Sequence, residues 1–515
     1  MPALESKLYP LIRSLSSSEK RYFKIFAQRH IIGDDNLYVR LFDLIDAQEK
    51  YNEGNLFKSE KRFKKATFHS LKSYLYELIM RSLNDFSSST SVEIKLRNQL
   101  SGIEILLKKT LYKQCNSYIK KVKETAYKYE KYVLLLEIFE LEFSLLESNP
   151  QISFRDRKKI IDKYQNEKQT VLAKIALTDD CKLIYSRLKG IQPQDVNRPV
   201  IEKSIKEYRK KLQNTSEVNY AHVYFFYACG NYYFSTAEFQ KASEAYRQVT
   251  IVFENNLHLL GETPTLYLRC FGNHLSMLAV LERFEEIIKL VAKIKYLFTK
   301  HDYLLSTDRL KGVLYGGIYN AELVALCRLA DYNAALKLIP EIEQGVNNYA
   351  DFILINMKMS IWNNIVTLLM TTDHYDEALK WNNYVLNLGK SEGNEDVFGK
   401  ALMFNVIIHF EIGNTDNLEH RIKSATRFLL KTKGLTQQHK IFLEFLRKKA
   451  VNINNKAEFV FECLQLKNKL LPLDNHKYEN SPTDGFNYLS WIDSKIEDRS
   501  MASIIRSKIS GLKRE

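Results

Sequence analysis

Residues 226–253 read FYACGNYYFSTAEFQKASEAYRQVTIVF, and two helical periodicities meet in them. Phe226, Cys229, Gly230 and Tyr233 fall at steps of three, one and three, so they share one face of a first helix. Phe239, Ala242, Tyr246, Val249 and Phe253 step by three, four, three and four, the apolar stripe of a second helix facing a neighbour. Gly230 and Ala242 are the small residues at which two helices approach closely, with the large residues filling the flanking grooves. The stretch predicts a tight helical hairpin.

The pattern resembles the tetratricopeptide repeat, whose signature runs aromatic, two residues, Leu-Gly, two residues, Tyr, then Ala-x3-Phe, then Pro. Phe226, Gly230, Tyr233, Ala242 and Tyr246 match it in type and spacing, while Cys229 stands for the Leu and Glu254 for the closing Pro. The resemblance implies a helix pair, best delimited as 221–254, that stacks with neighbours and binds partners in a groove. One subclass of the family grips a peptide carboxylate with a Lys three residues before the glycine and an Asn just after it. Here those places hold Tyr227 and Asn231, so the resemblance leaves Tyr227, Asn231 and Phe234 as the candidate groove lining, with core packing an equal reading for the two aromatics. The whole chain is also similar to long bacterial proteins of this repeat class, a likeness that implies no activity.

Working outward, the stripe recurs at Tyr112, Cys115, Ile119 and Val122; at Phe284, Ile287, Val291 and Ile294; at Tyr332, Ala335, Ile339 and Ile342; and at Tyr375, Ala378, Asn382 and Val385. Only Asn382 breaks the apolar rule. From 239 to 375 the units start 45, 48 and 43 residues apart, longer than a 34-residue repeat, so each helix pair is expected to be extended. Between the units at 112 and 239, Ile160, Ile161 and Tyr164, then Ile201, Ile205, Tyr208 and Leu212, suggest degenerate repeats. Such units cannot bury their apolar faces alone, so the expected fold is all-α, a superhelical array of antiparallel helix pairs shaped as a curved rod, with helical caps.

Three segments follow from this reading: a basic helical module over 1–90, repeats over 91–433, and a helical cap over 434–515 with a loop near 475–486. In the first, Ser16 or Ser17 with Glu19, then Asn36, then Thr67 mark helix starts, and Ser87–Ser91 reads as a linker. Helices separated by basic residues also fit a helix-turn-helix DNA reader, but that motif has no reliable fingerprint here and a plain helical cap is the favoured reading.

The chain of 515 residues carries a net charge of +15, unevenly placed. Residues 1–250 hold 43 basic against 30 acidic side chains, 251–400 hold 14 against 18, and 401–515 hold 19 against 13. Lys58, Lys61, Arg62 and Lys65 step by three, one and three, which predicts four cations on one helical face beside Phe57 and Phe63. Arg155 to Lys163 and Lys206 to Lys211 add two further basic runs, all interleaved with Glu60, Asp156, Asp162 and Glu207. A basic surface attracts nucleic acid or an acidic partner; a solvated lysine-rich face is the plainer reading.

No catalytic constellation emerges. None of the eleven histidines makes a His-Glu-x-x-His pair, so no metal site is expected. His409 beside Glu411 reads as a packed helix histidine. Gly312–Gly317 lacks the Lys-Ser/Thr of a phosphate loop and reads as close helix packing, so no cofactor is expected. Six scattered cysteines without a Cys-x-x-Cys pair, charged residues at Glu5, Lys7 and Arg13, and no apolar run of spanning length point to a cytoplasmic protein without membrane insertion. Two functions are compatible: a non-catalytic scaffold binding a protein or peptide partner on its concave surface, or a nucleic-acid or ribonucleoprotein-binding regulator using the basic N-terminal half.

Overall fold

The computed structural model describes residues 5–28, 36–88, 91–188, 198–213, 218–305, 307–389, 395–414, 416–448, 455–473 and 486–512. Among them helices are the only regular secondary structure, as the periodicity requires. None of these helices is long and apolar enough to cross a membrane. The stretch 475–486 expected to be a loop lies outside the described residues apart from Phe486.

The chain divides into two compact units, Met1–Asp180 with Glu217–Tyr220, and Cys181–Ser216 with Ala221–Glu515. The division does not fall at the expected boundaries near 90 and 433. The smaller unit holds α1 (Glu5–Ser14), α2 (Ser17–Gln28), α3 (Leu37–Asp46), α4 (Glu53–Ser59), α5 (Lys65–Ser88), α6 (Val92–Lys108), α7 (Tyr112–Lys128), α8 (Tyr132–Ser148) and most of α9 (Phe154–Leu188). Its helix starts follow their polar residues. Ser16 and Glu19 form a reciprocal box, the Glu19 N–H donating to Ser16 Oγ (3.3 Å) and the Ser16 N–H to Glu19 Oε2 (2.7 Å). Asn36 Oδ1 accepts from the Tyr38 and Val39 N–H groups. The helix expected from Thr67 begins at Lys65. A core of its own, including Leu8, Phe23, Phe42, Phe68 and Ile79, joins α1 to α5.

The larger unit holds α10 (Arg198–Gln213), nearly all of α11 (Asn219–Ser235), α12 (Phe239–Asn255), α13 (Leu257–Glu262), α14 (Pro264–Val280), α15 (Phe284–Lys300), α16 (Asp308–Val313), α17 (Asn320–Arg328), α18 (Tyr332–Asn348), α19 (Ile355–Thr371), α20 (Tyr375–Leu388), α21 (Glu395–Glu411), α22 (Leu418–Lys431), α23 (Gln437–Lys448), α24 (Lys456–Leu470), α25 (Tyr488–Glu497) and α26 (Met501–Leu512).

All five stripes start a helix at their first residue: α7, α12, α15, α18 and α20. Their inward positions are closed to solvent, among them Cys115, Val122, Ala242, Val249, Val291, Ala335, Ile342 and Ala378. A single kind of turn sets these starts. Thr110 (φ 57°), Ala237 (58°), Glu282 (58°), Ala330 (57°) and Asp373 (61°) each adopt the left-handed conformation two residues ahead of the aromatic that opens the next helix. Glu130 (52°) does the same before Tyr132, opening α8, which the stripe missed. Each turn closes the preceding helix with the same two bonds; the Ala237 N–H donates to Phe234 O (3.0 Å) and the Glu238 N–H to Tyr233 O (2.8 Å). At Gly230 the second helix crosses as the small residue requires: a Cβ there would lie 2.4 Å from Tyr246 Cε1.

The long spacing has two sources. α7, α8, α12, α15 and α18 each run for 17 residues. Short helices are inserted after the second member of a pair: α13 after α12, and α16 with a π-helical turn at Leu314–Tyr319 after α15. The degenerate repeat expected around Ile160 is absent, because 154–188 is one 35-residue helix whose early turns bury little and leave Phe154 86% exposed.

The last two helices pack back against earlier parts of the unit. On α25, Trp491 Nε1 donates to Glu411 Oε1 and Lys495 Nζ reaches Glu411 Oε2 (2.7 Å) at the end of α21. On α26, Arg506 Nε donates to Ala330 O (3.2 Å) in the α17–α18 turn and stands 5.2 Å over the Tyr332 ring. These contacts reach 80 to 176 residues back in sequence, unlike the neighbour-only contacts of an ideal repeat array.

Candidate functional site

Three successive helices of the larger unit line a half-open cavity of about 190 Å3, formed by Glu343, Val346 and Asn347 of α18, Trp362 of α19, and Trp381 and Tyr384 of α20. Two of the chain's three tryptophans therefore meet at one place. Glu343, Val346 and Asn347 sit at i, i+3 and i+4, and Trp381 and Tyr384 at i and i+3, so each helix presents one short face.

Buried asparagines fix the rotation of the helices that carry the rings. Asn363, next to Trp362, donates through Nδ2 to Val397 O (3.0 Å), and Asn364 to Asn320 Oδ1 (2.8 Å). Asn382, next to Trp381 and fully buried, donates to Ala401 O (3.0 Å). The residue that broke the apolar stripe is thus the one that ties α20 to α21. With the asparagines held, the rings stand as inclined walls. Trp381 and Tyr384 have centroids 5.6 Å apart at 82°, and Trp362 and Tyr384 5.6 Å apart at 41°. Trp381 is buried, whereas Tyr384 is 39% exposed at the mouth. No hydrogen bond or ion pair engages Glu343 among the described residues.

The candidates taken from sequence lie elsewhere and do not converge. Tyr227 follows the core-packing reading: it is 3% exposed, with its ring 4.8 Å from Tyr185 and 5.9 Å from Tyr246. Burial pushes its phenol above the ordinary range. Asn231 is half-buried and accepts from Tyr246 Oη (3.0 Å), which holds the ring that covers Gly230. Phe234 alone is open, at 53% exposure, 6.3 Å from the Phe239 ring. Of the residues expected to pack the repeat, Gly230, Ala242 and Tyr246 are buried and Phe226, Tyr233 and Phe239 are half-buried.

The four cations expected on one helical face do not share one. Lys58 is in the last turn of α4, Lys61 and Arg62 are in the following turn, and Lys65 opens α5. Glu60 ends α4 and turns its carboxylate back on Arg62, with Nε to Oε1 at 2.9 Å and Nη2 to Oε2 at 2.8 Å. That pairing holds the Glu60 carboxyl down at about 2.

His409 is 5% exposed with Nδ1 unpartnered, and burial followed by Arg421 lowers its pKa. Gly312 and Gly316 are close-packed as expected: a Cβ would lie 2.8 Å from Phe352 Cβ and 3.2 Å from Ile353 Cγ2. Among the described residues no group of three His, Cys, Asp or Glu has the geometry to hold a metal.

Trp362, Trp381, Tyr384 and Glu343 had no signature in sequence, because the cavity joins three helices that periodicity treats separately. The scarcity of tryptophan, with two within 20 residues, was the available signal. No protein-family model, curated protein or solved structure matches the chain.

Proposed function

We propose that the protein is a non-catalytic, tetratricopeptide-like scaffold whose helix pairs stack into a superhelical array within the larger unit and hold a protein or peptide partner. The observation that carries this reading is an exposed apolar run where the chain enters α19. Phe352 (47%), Leu354 (66%) and Ile355 (48%) face solvent around the buried Ile353. An exposed apolar run of this kind on a helical scaffold supports the reading of a partner-binding surface. The repeated turn and the recurrent helices support the array. The six free cysteines, five of them buried, support a reducing cytoplasm.

The test is affinity capture of the tagged full chain from its own cells, with nuclease treatment, comparing wild type with Leu354→Asp. A defined set of proteins, kept after nuclease and lost with Leu354→Asp while circular dichroism is unchanged, is expected. Recovery that depends on nucleic acid, or that ignores the substitution, overturns the reading.

A further inference from the structure

The cavity between α18, α19 and α20 has a composition that selects one kind of ligand. Three aromatic rings at mutual inclinations of 82° and 41° form its walls, with one carboxylate at Glu343 and one amide at Asn347. Ring faces are negative and attract cations. Elsewhere the chain fills such faces itself, with Lys72 over Phe68, Lys295 over Tyr319 and Arg506 over Tyr332. No lysine or arginine among the described residues stands over Trp362, Trp381 or Tyr384, or pairs with Glu343.

From this juxtaposition of three inclined rings and an unpaired carboxylate we infer that the cavity binds a quaternary ammonium group. A primary ammonium brings three N–H donors, and the acceptors here are few. A quaternary ammonium has no donors to satisfy, spreads its charge over methyl groups and packs against ring faces. The size agrees: a cavity of roughly 150 Å3 holds a benzene-sized group, and this one measures about 190 Å3. Glu343 supplies the countercharge, and the asparagine anchors beside both tryptophans keep the walls in place without a ligand to order them.

Two sources offer this group, a small choline-like molecule or a trimethylated lysine of the partner. The second rests on the partner-binding reading above; the first does not.

The experiment is a tryptophan-fluorescence titration of the full chain, in which Trp491 is the only indole outside the cavity. The probes are choline, its neutral isostere 3,3-dimethylbutan-1-ol, and the peptide Gly-Ala-Lys-Ala-Gly with its lysine plain or trimethylated. Saturable change with choline or the trimethylated peptide, at least tenfold stronger than with the isostere or the plain peptide, is expected. Whichever of the two binds more tightly identifies the source. Glu343→Gln should weaken binding about fivefold and Tyr384→Leu should remove most of it, both with unchanged circular dichroism. Equal binding of choline and the isostere, or no saturable change with any probe, overturns the inference, whatever partners the capture experiment returns.

Discussion

Gly230 and Gly272 occupy the interiors of two 17-residue helices in the same unit, and alanine should move stability in opposite directions at the two sites. By helix propensity alone each Gly→Ala change stabilises by about 1 kcal/mol. At Gly272 nothing lies within 4 Å of the new Cβ, so that gain should appear in full. At Gly230 the Cβ would meet Tyr246 Cε1, Cδ1 and Cζ at 2.4, 2.7 and 2.8 Å. The ring would have to retreat by about 1 Å to restore ordinary contact. It is 2% exposed, packed against Tyr227 and held through its hydroxyl by Asn231, so it has nowhere to go. Overpacking of this kind costs about 1–3 kcal/mol. The propensity gain offsets part of it, leaving a net loss of roughly 0–2 kcal/mol for Gly230→Ala, against the gain of about 1 kcal/mol at Gly272. Urea unfolding followed by circular dichroism reads both variants against wild type within one unit. A Gly230→Ala protein as stable as Gly272→Ala would refute the close crossing of α11 and α12.

The left-handed turns make a second prediction. Ala237 and Ala330 each carry a strain of about 1–2 kcal/mol that glycine lacks, against a glycine entropy cost of about 0.4–1 kcal/mol. Ala237→Gly should therefore raise the urea midpoint by an amount equivalent to about 0.5 kcal/mol, and Ala237→Val should lower it. A third concerns His274, 4% exposed, whose pKa burial lowers to about 4 from 6.5. Its folded pKa lies below its unfolded one, so the unfolded chain takes up the proton first. Stability should fall as pH drops from 6.5 towards 4, by on the order of 2 kcal/mol. In melting curves across that range His274→Leu should show a shallower slope than wild type, and parallel slopes would count against the assignment.

Where an apolar side chain recurs on one face, the sequence is a good guide to this fold. Tyr112, Phe239, Phe284, Tyr332 and Tyr375 each open a helix because the stripe begins there and the turn before it delivers an aromatic inward. The turn itself was illegible: threonine, glutamate, alanine and aspartate fill a conformation that sequence reading associates with glycine. The basic cluster failed for a related reason. A spacing rule assumes a continuous helix, and Glu60, paired with Arg62, ends one there. Sequence left Tyr227 open between groove and core because α11 is buried on several sides, Val223, Phe225, Tyr227 and Tyr232 all being closed to solvent, so an aromatic off the stripe is not thereby exposed. The cavity was out of reach, since the residues that meet there are separated by up to 41 positions and orient through asparagines that break the apolar pattern.

Hydrogen–deuterium exchange of the full chain, alone and bound to the captured partner, tests the central proposal most directly. Slower exchange on binding in peptides covering Phe352–Ile355 and the cavity helices α18 to α20 is the result expected of a scaffold that grips its partner there. Protection confined to the basic segment Lys58–Lys65, or none in the larger unit, would contradict it.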